Sequence, residues 1–414
     1  MNFNFIICNL LFFIIIVYNN NVRFMKKDRF IISVFLVIIF GVFVLYPVKY
    51  LLIKTDKISF NSSDNWKTYE KSGNLIKDKV MALETAIDNR TTNYFPLYEK
   101  ITSGFYNFNI KLDSLFSSKV YIKSNSDGEN LFYDNQNNFY FLLNNLSSEQ
   151  LNNRLKNQIS FYNDINTKYS DINLYIYLPL RYEVTNLSDI HNLNNYVVTF
   201  KNSLNKNIKV SSLDSLDLSQ YLTYFYKTDH HYNSVGALKA YNDIVTMMDI
   251  NNIKTIPFKC IYTPYYGSLA KTALNKNVSD NLLDLDYQND IEFNQNDDKF
   301  KTRKIVKKTN PFYDYYISYY NGQYDEIKYK SDVKNNKNIL IISDSLSWQI
   351  DYIIAENFEN TYVINLRYGK WKNQKLYLQE YLSEHNITDI LFLQEAEQQM
   401  FDLYNHNISD RVVR

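Results

Sequence analysis

The apolar pattern of this chain changes character near residue 50. Before it lie two nearly continuous apolar runs, Phe3 to Tyr18 and Phe30 to Val48; after it, apolar positions come in short, spaced sets. The second run holds 19 residues without a charge, enough to cross a hydrocarbon core of ~30 Å as a helix. Arg23, Lys26, Lys27 and Arg29 precede it, so the positive-inside rule puts that flank in the cytoplasm and everything beyond residue 50 outside. The first run is either a second span or the product of an upstream start, since Met25-Lys-Lys-Asp-Arg29 would itself make a beginning. No small-x-small site follows Val48, which disfavours a cleaved signal peptide. The expectation is a cell-membrane protein, single-pass or two-pass, with its main domain extracytoplasmic. Residues 1–24 form the first apolar segment and 25–54 the transmembrane anchor.

Residues 55–98 are expected to form a stalk and helical lead-in, with Leu75, Val80, Leu83, Ala86 and Ile87 at helical spacing. The main domain is placed at 99–414. Ser126-Asp-Gly128 signals a turn before a short strand at Leu131-Phe-Tyr133. Leu174-Tyr-Ile-Tyr-Leu-Pro179 is a β-type run stopped by proline, as a buried strand ending in a loop would be. Inward positions Ala237, Leu238, Tyr241, Ile244, Val245 and Met248 predict a helix over Val235–Asp249. Residues 276–300 are polar and acidic with little periodicity, and read as a loop insertion. The C-terminal pattern is βαβαβ. Strands are expected at Asn338–Ile342, Thr361–Leu366 and Thr388–Leu393, with helices at Leu346–Phe358 and Trp371–His385. That order implies parallel strands in an α/β fold, with ligands beyond their carboxyl ends. Ser343-Asp-Ser345 sits at such an end.

Composition narrows the function classes. Across 414 residues, Lys+Arg 45 against Asp+Glu 44 gives a net charge of +1, so no nucleic-acid partner is expected. Cys8 and Cys260 are the two cysteines and lie far apart, which argues against a disulfide framework or a zinc site. The excess of Asn, Tyr, Ile and Lys, with 8 Gly, reads as the drift of an AT-rich genome.

Two of the five histidines stand side by side in Tyr226-Lys-Thr-Asp-His-His-Tyr-Asn-Ser234. Asp229 lies two positions from His231, a spacing that lets a carboxylate orient an imidazole. Such a pair needs a nucleophile, and Ile342-Ser-Asp-Ser-Leu346 offers one. Ser345 would attack, His231 would act as general base and then acid, and Asp229 would fix its tautomer. The backbone N–H groups of Ser345 and Leu346, at a helix start, would face a developing oxyanion. Two structural readings stand beside this one. Asp344 or Ser345 would cap the following helix, and the Asp-His-His run would be a loop capping Val235–Asp249. No metal is expected, because neighbours in an extended segment point opposite ways. His230 is assigned to supporting the loop, while His191, His385 and His406 look solvated.

From about residue 100 onward the chain resembles the DHHW proteins and the SGNH-hydrolase-like domain of the alginate O-acetylation proteins. The resemblance rests on Asp127-Gly-Glu-Asn-Leu-Phe-Tyr133, Leu174–Pro179, Tyr226–Tyr232 with Gly236-Ala237 and Tyr241, Gly267-Ser-Leu269, Ile341-Ile-Ser-Asp-Ser345 and Asn365-Leu-Arg-Tyr368. It implies an SGNH-hydrolase-like parallel sheet sandwiched by helices, with Ser345, His231 and Asp229 in the catalytic roles just described. Tyr232 replaces that family's tryptophan and is expected to stack on sugar. Ser343 stands where such enzymes have glycine, and Asn365 where the strand motif has aspartate. Arg367 and Tyr368 are candidates for lining the substrate site.

The resemblance further implies a serine O-acetyltransferase acting on a cell-surface or exported polysaccharide through an acetyl-serine, without a cofactor. A membrane-bound O-acyltransferase would supply the acetyl group. An acetyl esterase using the same residues, or a non-catalytic glycan-binding or assembly protein that retains the fold, are the alternatives.

Overall fold

The computed structural model describes residues 98–414, apart from 125–128, 189–192, 288–291, 295–304, 306, 309, 321–323 and 404–407. The expected membrane segments, the stalk, Cys8, His191 and His406 lie outside the described residues. Among the described residues no helix is long and apolar enough to cross a membrane. Residues 101–414 form one compact unit.

The described chain begins with helix α1 (Tyr98–Asp113), followed by an antiparallel three-stranded sheet, β1 (Lys119–Ser124), β2 (Glu129–Asp134) and β3 (Phe139–Asn144). Helix α2 (Ser148–Lys168) starts on a capping box in which Ser147 and Gln150 satisfy each other's backbone N–H groups. Then come β4 (Asn173–Pro179), α3 (Asn194–Ser203), β5 (Lys209–Leu213), α4 (Leu218–Tyr224) and α5 (Ser234–Met247). An antiparallel pair, β6 (Phe258–Tyr265) and β7 (Asp280–Leu285), brackets the short helix α6 (Ser268–Thr272). The rest runs β8 (Glu292–Asn294), α7 (Tyr315–Tyr320), β9 (Glu326–Lys330), β10 (Asn338–Ser343), α8 (Asp351–Ala355), β11 (Asn360–Asn365), β12 (Leu376–Tyr377), α9 (Leu378–Glu384), β13 (Asp389–Leu393), α10 (Ala396–Phe401), α11 (Ile408–Arg411) and β14 (Val412–Val413).

Seven strands form the main sheet in the order β5-β4-β13-β10-β11-β9-β8, and the five from β5 to β11 are parallel. The strands at its centre are apolar at nearly every position because both faces are covered. Along β10, Ile339 and Ile341 join one hydrophobic cluster while Leu340 and Ile342 join the other. Tyr175 and Tyr177 alternate in the same way with Leu174, Ile176 and Leu178, and Leu391 and Leu393 with Ile390 and Phe392. A period of two with apolar residues on both sides is what a continuous apolar run must become between two helical layers.

The βαβαβ reading holds with adjustments. The segment after β10 begins as a short 3-10 turn at Ser347–Gln349 before α8, and the expected helix at Trp371–His385 is a 3-10 turn, β12 and then α9. The expected loop over 276–300 contains β7 and β8. Its polar sequence hides an alternation in which Leu282, Asp284 and Leu285 are buried against neighbours. Strands β4, β10 and β13 end together at one edge, and the chain leaves β10 there as Asp344-Ser345.

Candidate active site

The turn after β10 divides its polar side chains between two jobs. Asp344 accepts the Leu346 N–H at 2.8 Å through one carboxylate oxygen and the Glu395 N–H at 2.9 Å through the other, tying the turn to the end of β13. This braces the turn and is not the helix cap expected of the segment: the 3-10 turn at Ser347–Gln349 and α8 both lack a side-chain cap. Ser345 takes no part in the bracing. Its Oγ lies 2.7 Å from His231 Nε2, and His231 Nδ1 lies 2.8 Å from Asp229 Oδ1. Ser345, His231 and Asp229 therefore form one hydrogen-bonded series, with His231 and Ser345 only 5% and 6% exposed. Such shielding from water strengthens each electrostatic contact within the series.

The loop carrying Asp229 and His231 is held from below by β7. Asp280 accepts from Lys227 N–H, Thr228 N–H and Thr228 Oγ. Asn233 then caps α5 by accepting from Val235 and Gly236 N–H, so the structural reading of this loop is also satisfied. Asp229 receives the Ser268 N–H at 3.0 Å, the Ser268 hydroxyl at 3.1 Å and the Tyr265 hydroxyl. Gly267 is required here by close approach: a Cβ at that position would sit 2.4 Å from Asp229 Cβ and 2.6 Å from Thr228 O.

Burial alone would raise the Asp229 carboxyl. His231, its hydrogen bond, His230 and Tyr265 together hold it well below the usual carboxylate range instead. Burial and the neighbouring His230 lower His231, against the opposing pull of Asp229. An ionised carboxylate therefore faces a neutral imidazole. In that state Nδ1–H points to Asp229 and the bare Nε2 points to the serine hydroxyl, the arrangement needed for proton removal from the hydroxyl.

Several sequence expectations need correction. Tyr232 is fully buried and donates its hydroxyl to Leu346 O. Its Cβ approaches Gly236, where an added Cβ would lie 2.9 Å from it. A ring with no exposed face cannot stack on sugar, so Tyr232 braces the Ser345 turn rather than contacting substrate. The Leu346 N–H is already taken by Asp344 and is not available to an oxyanion, whereas the Ser345 N–H has no partner among the described residues.

The two histidine rings do not diverge. Residues 228–231 form a bend, and the rings lie 3.9 Å apart between centroids. Asp229, His230 and His231 offer one ligand atom each within 4.8 Å, but His231 is engaged with Asp229 and Ser345, and His230 Nδ1 with Ser268. His385 is not simply solvated: it stacks on Tyr362 with centroids 4.4 Å apart.

A cleft of about 280 Å³ opens beside the series, lined by His230, Ser268, Asp344, Arg367, Gln394 and Glu395 among others. Arg367 is thus on the cleft wall, oriented by Asn365 Oδ1, which accepts from its N–H and Nε. Tyr368 is not among the lining residues; its ring lies 5.5 Å from the Arg367 guanidinium. On the same wall, Arg181 pairs with Glu129 at 3.1 Å and Glu395 at 3.5 Å, and with Glu397 at 2.9 Å. Burial pushes the Glu395 carboxyl up to about 7, against the pull of Arg181. Tyr316 stacks on His231 and donates to Ser345 O at 3.2 Å. Tyr265, Ser268, Arg181, Glu395 and Tyr316 were missed as site residues. Only the Gly267-Ser-Leu269 element offered a sequence signal for any of them.

The fold is an α/β sandwich on a mostly parallel sheet with the serine at a carboxyl end. No family model and no curated protein matches the sequence. Solved structures do share the fold. A DHHW family protein from Eubacterium siraeum superposes with a TM-score of 0.52 at 18% identity, covering 70% of this chain and 97% of that one. Bacillus cereus PatB1, solved with a sulfonyl adduct, gives 0.51 at 17% identity over 68% of this chain and 100% of its own. The O-acetyltransferase domain of Pseudomonas putida AlgJ aligns over 67% of this chain and 92% of its own at 11% identity, but with a TM-score of 0.35, too low to show a shared fold.

Proposed function

We propose that this chain is a serine O-acetyltransferase that modifies a cell-surface or exported polysaccharide through an acetyl-Ser345 intermediate. The observation that carries the reading is the continuous series from Asp229 through His231 to Ser345, with 2.8 Å and 2.7 Å contacts. Ser345 Oγ attacks the donor carbonyl as its proton moves to His231 Nε2. The imidazolium, stabilised by Asp229, gives that proton to the departing group, leaving acetyl-Ser345. A sugar hydroxyl then transfers its proton to His231 Nε2 while its oxygen attacks the acetyl carbon. Collapse returns the proton to Ser345 Oγ. The Ser345 N–H is the candidate backbone donor to the oxyanion.

An activated serine hydroxyl attacks electrophilic sulfonyl reagents, so the sulfonyl adduct carried by PatB1 would have its counterpart at Ser345 under this reading. The polar side chains lining the cleft, among them His230, Ser268, Arg367 and Gln394, support a hydroxylated acceptor over an apolar one. The uncharged run Phe30–Val48 and its basic flank support anchoring in the cell membrane with the catalytic domain outside. A membrane-bound O-acyltransferase would then deliver acetyl from the cytoplasmic side. Water in place of the sugar would make the same site an esterase.

The test is turnover of a chromogenic acetyl ester by the full chain in detergent. Ser345→Ala and His231→Ala are each expected to abolish turnover above background. A wild-type rate in Ser345→Ala would remove the mechanism.

A further inference from the structure

The proposed mechanism uses one of the two stacked imidazoles and leaves the other without a task. His230 Nδ1 lies 2.8 Å from Ser268 Oγ and 3.2 Å from Asp229 Oδ1. Ser268 has a single hydroxyl proton and donates it to Asp229, 3.1 Å away. Its oxygen is therefore the acceptor towards His230, and Nδ1 must carry the hydrogen. The same carboxylate oxygen thus fixes the tautomer of both rings. His231 turns its bare Nε2 to Ser345, and His230 turns its bare Nε2 towards the cleft.

In the cleft, His230 Nε2 faces Glu395 Oε1 at 3.6 Å, too far for a direct hydrogen bond. The Glu395 carboxyl, raised to about 7, can accept or donate, so a hydroxyl between or beside them satisfies both His230 Nε2 and Glu395. The wall continues in the same character. Gln394 Oε1 and Gln398 Oε1 are buried with no partner among the described residues, and both residues line the cleft. Burial and Arg181 keep His230 below the usual imidazole range, so Nε2 stays an acceptor at neutral pH. Arg367 Nη2 is a buried lining donor without a partner among the described residues. Three carboxyl groups, Asp344, Glu395 and Glu129, stand against Arg181 and Arg367 in the lining, so it holds no surplus of positive charge for an anion.

Resting on the acetyl-transfer reading above, we infer that His230 is an acceptor-binding residue whose Nε2 accepts a hydrogen bond from a hydroxyl of the incoming sugar. The acceptor class is a neutral polyhydroxylated carbohydrate rather than a uronate. The binding wall consists of His230 Nε2, the Glu395 carboxyl and the Gln394 and Gln398 amide oxygens.

Two substitutions separate this role from support of the loop. In His230→Asn the amide nitrogen can replace Nδ1–H towards Ser268 but nothing replaces Nε2. In His230→Gln the amide oxygen reaches the position of Nε2 and the Ser268 bond is lost. Calorimetric titration of the full chain with cellotetraose should show affinity falling about tenfold in His230→Asn and staying within about threefold in His230→Gln. The wild-type chain should bind cellotetraose more tightly than a tetra-uronate, a comparison that needs no variant to fold. Unchanged affinity in His230→Asn, a greater loss in His230→Gln, tighter uronate binding, or no wild-type binding of cellotetraose would each overturn the inference. A wild-type chain that binds cellotetraose with the expected variant pattern but never acylates Ser345 would support it while removing the acetyl-transfer reading.

Discussion

His231 Nε2 lies 2.7 Å from Ser345 Oγ although 114 residues separate them in the chain. The contact exists because β10 delivers Ser345 past the sheet edge while Asp229, gripped by Tyr265 and Ser268, fixes the imidazole from the opposite side. Each part of that grip makes a measurable claim.

Gly267→Ala should damage activity more than stability. Its Cβ would fall 2.5 Å from Asp229 Oδ2, and the carboxylate must shift to make room. A displacement of that kind misplaces His231, for which about a 100-fold loss of ester turnover is expected. Parallel measurement of kcat/KM and thermal unfolding checks this; equal, small effects on both would contradict it.

Tyr232→Phe should lower the unfolding free energy by about 1 kcal/mol, since it removes a buried hydroxyl and leaves Leu346 O without that donor. The KM for a carbohydrate acceptor should not change, because the ring is fully buried. Acceptor KM rising in Tyr232→Phe with stability intact would restore the sugar-stacking role.

Ester turnover should persist to acid pH. The general base must be neutral, and burial and His230 lower His231 from its usual value. The acid limb of kcat/KM is therefore expected to have its midpoint below about 6.5. A limb centred at pH 7 or above would show that Asp229 outweighs burial and that the site is wetter than described.

Stability should fall as pH rises from about 5 to about 8. Burial and the nearby Glu397 push the Glu183 carboxyl up to about 8, against Arg181 and the Asn144 N–H. A folded pKa above the unfolded one means the folded chain binds more protons through that window, so raising the pH favours unfolding. Glu183→Gln keeps the acceptor for Asn144 N–H and should flatten the slope by roughly 1–3 kcal/mol. Thermal unfolding of both proteins at pH 5 and pH 8 measures it; equal slopes would mean Glu183 stays ionised in the folded state.

The parallel core was legible because its strands are buried on both faces and read as unbroken apolar runs, as Asn338–Ile342 does. Asp280–Leu285 was not legible, since its alternation is masked by acidic residues whose burial depends on tyrosines far along the chain. Asp284 accepts from Tyr319 and Tyr320. Asp229, His231 and Ser345 stood out through rare residue types at telling positions. Tyr232 was misread because local sequence does not reveal which side of a bend faces the core. His230 was given a supporting role for the same reason: two adjacent rings on one side of a loop require a bend that periodicity does not report. The cleft wall at Gln394 and Glu395 follows a strand that was predicted, but its chemistry depends on Arg181 arriving from the segment after β4.

Whether Ser345 becomes acetylated is read by mass analysis after acid quench of the full chain with an acetyl ester. One acetyl group is expected on the peptide carrying Ser345, absent from Ser345→Ala and strongly reduced in His231→Ala. Acetylation at Ser343, Ser347 or Ser268 instead, or equal labelling of Ser345 with and without His231, would contradict the mechanism.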